Sequence, residues 1–548
     1  MTSDTTRSAG DDHGGESPPV PDDRAASVSP APSRRRLLLF RIAAVLLALA
    51  VFPCVEGVLA LFDLGRPNVA EDPFVGFTGS HPLFVLSEDG ERYEVPPARQ
   101  NFFAYESFPA QKSPGTFRIV CLGGSTVQGR PYSIPTSYGT WLKLALQEAD
   151  PSRNWEVVNC GGISYASYRL VPILEECLRY EPDLLILCTG HNEFLEDRSY
   201  PGISGLPRWL HGPLGAVAQM RTFTLLRTAA QSISDVPPTG TDRPLLPDDP
   251  DAMLDYNEGL AAYHRDDDWQ AGAIEHYGYN VRRLLTIAEE ADLPVLLLSP
   301  CSNLADSPPF KSEHRAGLSD AERAEWDRLV EQARSLYRSN LRRAAALLED
   351  ALAIDDRYAA IHFELGKCYE YLSRSESART CYVRARDEDI CPLRILSPME
   401  QELRVIAEER DVPFLDLHEL LEARSRRGIL GDDWLVDHVH PSFEGHQVIA
   451  RRLLEMMAAE GMVEPRADWE ERATAAFEKH FESLEDHYFL RGGRTLRALQ
   501  AWTRGEADGP PAHLRFPERI TRRRAGEDAS GPDANERRAV QNSEITSP

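Results

Sequence analysis

Five short apolar runs, separated by helical stretches, limit what this 548-residue chain can fold into. They occupy 116–122, 155–160, 183–189, 294–299 and 413–417. Runs this short, and apolar at nearly every position, read as strands buried on both faces. Helix-like patterns at 138–148, 168–179, 273–291 and 399–409 precede the second to fifth runs. Alternating strand and helix implies a doubly wound α/β sheet of parallel strands. Ligands of such sheets sit at the carboxyl ends of the strands.

Ahead of that block, residues 1–33 are rich in Ser, Pro, Asp, Gly and Arg, and are expected to form a disordered cytoplasmic leader. Arg34, Arg35 and Arg36 then precede an apolar run at 37–62, charged only at Arg41 and Glu56. Its uncharged part, 42–55, falls short of the ~20 residues that span a bilayer. Extension to Leu37, with Arg41 snorkelling to the headgroups, supplies the length. A cleavable signal peptide is the rival reading, but the polar leader is long for one and no Ala-x-Ala site follows. We read 37–62 as an uncleaved single-pass transmembrane anchor in the lipid bilayer. The arginines precede it, which places the N-terminus in the cytoplasm and the large domain outside, in the periplasm. Residues 63–115 then form a membrane-proximal segment.

The net charge of −26 excludes a general nucleic-acid binder, whose affinity comes from basic contacts to phosphate. None of the nine cysteines forms a Cys-x-x-Cys pair. Cys121, Cys160 and Cys188 lie in apolar runs and read as small buried side chains, and a Cys368–Cys381 disulfide stays open.

Two stretches interrupt the β/α alternation. Residues 231–254 are rich in Pro and Asp and read as a surface loop. Residues 315–395 are helical and carry a repeat. His362, Leu365, Gly366 and Tyr369 are followed by Ala378, Tyr382 and Ala385, with Ala344, Leu348 and Ala351 about 34 residues before the second set. This resembles one good tetratricopeptide repeat and a degenerate one; a plain helical hairpin is the simpler alternative. The insert leaves from the catalytic face of the sheet, where it can wall the substrate pocket or hold a protein partner. After a helix at 443–459, residues 466–504 read as a helical pair with an aromatic core stripe, and 505–548 as a disordered tail.

The chemistry-bearing residues fall at strand ends. Gly123, Gly124 and Ser125 follow the first run. They lack the spacing of a P-loop and of the Gly-x-Ser-x-Gly elbow. Asn159, Cys160, Gly161, Gly162, Ile163 and Ser164 follow the second, and Gly190, His191, Asn192 and Glu193 the third. Asp437 and His440 stand three apart ahead of the 443–459 helix. That spacing lets a carboxylate reach imidazole Nδ1 and leave Nε2 for a serine hydroxyl. His438 is a rival base, and Asp437, His438, His440 and His446 could instead ligate a metal. Residues 301–306, after the fourth run, border the same face and read as an ordinary loop.

Together, Ser125, the glycines after the second run, Asn192 and the Asp437–His440 pair resemble the SGNH (GDSL-type) hydrolase superfamily, and the layout with anchor and insert resembles its membrane-anchored bacterial members. The resemblance implies a flavodoxin-like three-layer α/β/α sandwich with five parallel strands over 116–310 and 396–460. It implies Ser125 as nucleophile, His440 as base and Asp437 as its orienter. The oxyanion hole would use the Ser125 N–H, the Asn192 amide and a backbone N–H from Gly161, Gly162 or Ser164, of which we choose Gly162. It implies no metal or organic cofactor. Two positions depart from the family pattern, Gly124 and Glu193, each standing where the family has aspartate. The expected activity is an extracytoplasmic serine esterase acting on an O-acyl ester of an envelope glycan or lipid. An O-acyltransferase using the same site, and a non-catalytic interaction protein on a degenerate hydrolase fold, are the alternatives. Ser125 and His440 are 315 positions apart, a gap filled by the loop and the helical insert.

Overall fold

The computed structural model describes residues 55–59, 61, 72, 74–78, 81–198, 221–222, 244–255 and 258–506. The chain divides into two compact units, 1–67 with 214–235, and 68–213 with 236–548. In the first, 55–59 are helical, and Glu56 accepts the N–H groups of Arg221 and Thr222 at 3.0 and 2.8 Å. The leader, most of the 37–62 anchor and the tail from 507 lie outside the described residues. Among the described residues, no helix is long and apolar enough to cross a membrane.

The second unit is built on one five-stranded parallel sheet. Its strands are β1 (Thr116–Gly123), β2 (Asn154–Gly161), β3 (Leu184–Cys188), β4 (Val295–Ser299) and β5 (Phe414–Asp416). Their spatial order is 2-1-3-4-5, all parallel, which is the flavodoxin-like order. All five expected strands are present, with ends displaced by no more than one residue. The side-chain period of two, with layers on both faces, explains why the runs are apolar at nearly every position. Val120, Leu122, Leu185, Leu187 and Leu297 face one layer, and Ile119, Cys121, Leu184, Ile186 and Leu298 the other.

Helices cover both faces. They are α1 (Ser125–Gln128), α2 (Tyr138–Ala149), α3 (Ser167–Cys177) and α4 (Asp267–Glu290). The insert supplies α5 (Asp320–Leu336), α6 (Leu341–Ile354), α7 (Ala359–Tyr371) and α8 (Ser375–Asp387). Then follow α9 (Ser397–Arg410), α10 (Leu417–Glu422), α11 (Phe443–Ala459), α12 (Trp469–Ser483) and α13 (Asp486–Glu506). Helices α3, α4 and α9 pack on the first face. Helices α2, α11 and α12 pack on the second, with Trp141 and Phe477 ring centroids 5.0 Å apart.

Ala344, Leu348 and Ala351 on α6, and Ala378, Tyr382 and Ala385 on α8, are all buried. The insert is also tied to the sheet unit by ions. Asp306 pairs with Arg427 and with Lys367 of α7 (3.1 Å), and Arg427 reaches Glu370 of α7 at 3.1 Å.

Two segments differ from the reading of the sequence. The described part of 63–115, read from the sequence only as a membrane-proximal segment, carries structure of its own within this unit. It forms a three-stranded antiparallel sheet, Val85–Leu86, Arg92–Glu94 and Ser107–Pro109, and Leu83, Phe84, Val95 and Phe108 join the main core. Within the 231–254 loop, Leu245–Leu246 pairs in parallel with Gly76–Phe77, and Leu246 packs with Val75, Ala166 and Tyr168. These strands are two or three residues long, too short to leave a periodic signal. Cys121, Cys160, Cys188 and Cys368 are buried, and Cys368 and Cys381 are free thiols.

Candidate active site

Parallel register brings the strand ends level: Gly123 pairs with Gly161 on one side and Cys188 on the other. The segments that follow β1, β2 and β3 therefore leave the sheet side by side. Ser125 begins α1, with Gly124 as the extended N-cap. A Cβ on Gly161 would overlap the backbone N of Gln128, so glycine there lets the α1 turn sit directly on the end of β2. A Cβ on Gly124 would meet Asn192 Nδ2 at 2.7 Å. The residue that replaces the family's aspartate thus leaves room for the asparagine.

Ser125 Oγ lies 2.8 Å from His440 Nε2, and His440 Nδ1 lies 2.7 Å from Asp437 Oδ2. The second Asp437 oxygen accepts the N–H groups of Val439 and His440, both at 2.9 Å. The carboxylate is fully buried. Burial alone would raise its pKa; the His440 ring and its hydrogen bond, with His438 and the Val439 N–H, outweigh that and hold it well below the usual carboxylate range. The acceptor geometry also places the imidazole proton on Nδ1 and leaves Nε2 to accept from Ser125.

The base loop is held from below by 301–306. Asn303 accepts nothing from it but donates twice: its N–H to His438 O at 2.9 Å and its Nδ2 to Asp437 O at 3.0 Å. The same Nδ2 donates to Asp432 at 2.8 Å, and buried Arg394 donates to Asn303 O at 2.9 Å. What reads as an ordinary loop in sequence thus fixes the backbone of the Asp–His turn. The lone asparagine gave no signal, because its partners lie about 130 residues away.

The other candidates for this chemistry are engaged elsewhere. His438 is buried, and burial takes its pKa down to about 4; its Nδ1 lies 3.7 Å from Asp437 Oδ1, and it is His440 that bonds Ser125. His446 accepts the Tyr138 N–H at 3.2 Å. Among the described residues, no three His, Cys, Asp or Glu side chains converge as metal ligands. Glu193, in place of the family's aspartate, is buried and accepts the Ser167 N–H at 2.8 Å and the Ser167 hydroxyl at 2.9 Å. It therefore anchors the start of α3.

Gly162 is a correction. Its N–H donates to Gly123 O at 2.9 Å, and the Gly161 N–H to Asn159 Oδ1 at 3.0 Å, so neither is free for a ligand. The sheet ladder and the asparagine turn consume both. Ser164 is the third candidate of that segment. It has φ +63°, a left-handed turn, and its N–H has no acceptor among the described residues. The left-handed conformation favours glycine, which is why choosing among the glycines by residue type misled. Asn192 donates Nδ2 to Tyr165 O at 2.9 Å, one residue beyond Ser164, which fixes the amide and leaves its second hydrogen.

A cleft of about 510 Å³ opens beside the far end of α1, where Gln128 and Arg130 line it, and Ile163, next to Ser164, lines it as well. Its walls come from 100–105, 128–135, Ile163 and α13. None comes from 315–395, so the insert is not a wall of this cleft; it braces the 301–306 loop instead. The helical pair expected only as core packing supplies one side of it.

No family model matches the chain, and no curated protein matches it. Among solved structures it is similar to the acetylxylan esterase Axe2 from Geobacillus stearothermophilus, at 13% identity over 62% of this chain and 93% of that one, with a TM-score of 0.28. It is similar to a lipolytic protein of the G-D-S-L family from Desulfitobacterium hafniense DCB-2, at 10% identity over 61% and 96%, TM-score 0.27. LAE5, an alpha/beta hydrolase enzyme from the metagenome of Lake Arreo, Spain, matches at 15% identity over 63% and 95%, TM-score 0.28. Such distant likenesses carry no argument about the site, which rests on its own geometry. The second unit thus has the flavodoxin-like strand order, with a serine after β1, an asparagine after β3 and an Asp-x-x-His turn ahead of the closing helix, the arrangement that the resemblance to SGNH hydrolases implies.

Proposed function

We propose that the chain is a serine ester hydrolase working through an acyl-enzyme. The observation that carries this is the unbroken relay from Ser125 Oγ to His440 Nε2 (2.8 Å) and from His440 Nδ1 to Asp437 Oδ2 (2.7 Å). Ser125 Oγ attacks the ester carbonyl while His440 Nε2 takes its proton; Asp437 holds the tautomer and stabilises the imidazolium that forms. The oxyanion is held by the Ser125 N–H, an orphan donor of the first helical turn, the Ser164 N–H and the second hydrogen of Asn192 Nδ2. His440 returns its proton to the leaving alkoxide, and a water, activated by the same nitrogen, releases the acid. The Arg34–Arg36 cluster ahead of the apolar run supports a membrane anchor at 37–62 with this site on the extracytoplasmic side. That location favours an O-acyl group of an envelope glycan or lipid as substrate. The test is hydrolysis of 4-nitrophenyl acetate by the full chain and by Ser125→Ala. The variant is expected to lose at least about 1,000-fold in kcat; equal rates would reject the reading.

A further inference from the structure

The cleft lined by Gln128 and Arg130, in the turn that follows Ser125, has a charge pattern at odds with the chain around it. The protein carries a net charge of −26, yet no acidic residue lines the cleft; its only charged residues are Arg130 and Arg491. Arg130 stands directly behind the nucleophile, its N–H donating to Ser125 O at 3.1 Å. Its guanidinium is half-buried, makes no ion pair among the described residues, and its Nε is buried without a hydrogen-bond partner. Burial lowers its pKa, with Asp437 acting against that from a distance. A partly desolvated guanidinium without an ion-pair partner gains from an anion that completes it, and its planar fork suits a carboxylate or phosphate. The rest of the cleft is neutral and mixed, with the polar Gln100 and Asn101, the aromatic Tyr132 and Tyr488 and the apolar Ile134 and Ile163, which suits a neutral body bearing one anionic group.

The opposite wall is fixed rather than adventitious. Helix α13 is tied to the turn that ends the 128–135 loop and to the Asp437 turn: Tyr488 Oη bonds Thr136 at 2.7 Å, and Gln500 Nε2 donates to Val436 O, next to Asp437, at 2.9 Å. Gly492 packs so closely on the Tyr132 ring that any Cβ there would overlap it. This closeness brings the wall that carries Arg491 up against the loop that carries Arg130. The volume, about 510 Å³, lies within the usual range for a small-ligand site.

We propose that this cleft is an anion subsite: the part of the ester substrate that fills it bears a carboxylate or phosphate, held by Arg130 with Arg491 at the rim. The proposal rests on the serine-hydrolase reading for its reaction but not for its binding. It is tested with mono-acetylated glucose, glucuronate and glucose 6-phosphate as probes. Acetate release is measured with the full chain, and equilibrium binding of the same three probes with Ser125→Ala. One or both acidic probes are expected to exceed acetylated glucose at least about tenfold in kcat/KM and in affinity, the glucuronate and phosphate arms telling which anion is read. Arg130→Gln is expected to bring that ratio towards one, and Arg130→Lys to keep part of it. No preference in the parent, or an Arg130→Gln loss equal for neutral and acidic probes, overturns the subsite; the second would mark Arg130 as support for Asp437. Preferential binding without hydrolysis would reject the serine reading and leave the subsite standing.

Discussion

Replacing Asp437 by asparagine tests the relay most sharply, because the surrounding hydrogen bonds dictate which way the new amide points. Asp437 Oδ1 accepts two backbone N–H groups at 2.9 Å, and Oδ2 accepts from His440 Nδ1 at 2.7 Å. If the asparagine turned its oxygen to the imidazole, its NH2 would face the Val439 and His440 N–H donors. Two buried donors would then lose their acceptor, at about 1–3 kcal/mol each. The amide oxygen therefore stays on the backbone and the NH2 faces Nδ1. Nδ1 becomes an acceptor, the ring proton moves to Nε2, and His440 then donates to Ser125 instead of receiving its proton. Reversal of this tautomer costs about 10,000-fold in kcat, or about 5.5 kcal/mol of transition-state stabilisation. Because the buried N–H groups keep an acceptor, the fold should survive. The assay is kcat/KM on 4-nitrophenyl acetate, with a thermal melt as control. A folded Asp437→Asn protein within tenfold of the parent would refute the assignment of the Asp437–His440 pair.

The remaining predictions concern the turn after β2 and the buried histidines. Ser164 sits at φ +63°, so Ser164→Gly should retain esterase activity, whereas Ser164→Val should cost about 1–2 kcal/mol of stability and most of the activity as the N–H moves; equal melts and rates for the two would show that this backbone position does not matter. His446 is buried, which lowers its pKa to about 3 from the ordinary 6.5. A depressed histidine leaves the unfolded chain holding the extra proton, so its contribution is complete above pH 6.5 and declines as pH falls towards 3. His446 alone should account for about 2–3 kcal/mol between its ordinary value and about pH 4.5. Melting curves across that range should show His446→Gln, which can still accept the Tyr138 N–H, with a shallower acid loss than the parent; parallel curves would rule this out.

Strands buried on both faces are legible because nearly every position is apolar, so β1 to β5 could be placed from short apolar runs alternating with helical patterns. Ser125 and Asn192 were legible for a different reason, as polar residues just past the end of such a run, where a doubly wound sheet puts its ligands, and Asp437 and His440 by their spacing of three ahead of a helix. Backbone donors are not legible in this way. Gly162 and Ser164 differ in which N–H the ladder consumes, and that depends on Gly123 O, a partner on another strand. Nor was the role of α13. Its half-buried aromatic pattern is that of any packed helix, and only tertiary structure puts Tyr488, Arg491 and Gly492 across a cleft from Tyr132. Asn303 belongs with these, since its function lies wholly in contacts with a distant loop.

The central claim is that Ser125 is a nucleophile activated by His440. A fluorophosphonate probe, whose fluoride leaves as an activated serine oxygen bonds to phosphorus, measures this without any knowledge of the natural ester. Peptide mass analysis of the labelled full chain should find the phosphonate on Ser125, with labelling abolished in Ser125→Ala and slowed at least about 1,000-fold in His440→Ala. Labelling of the folded parent at another serine, or at Ser125 with equal speed in His440→Ala, would contradict it.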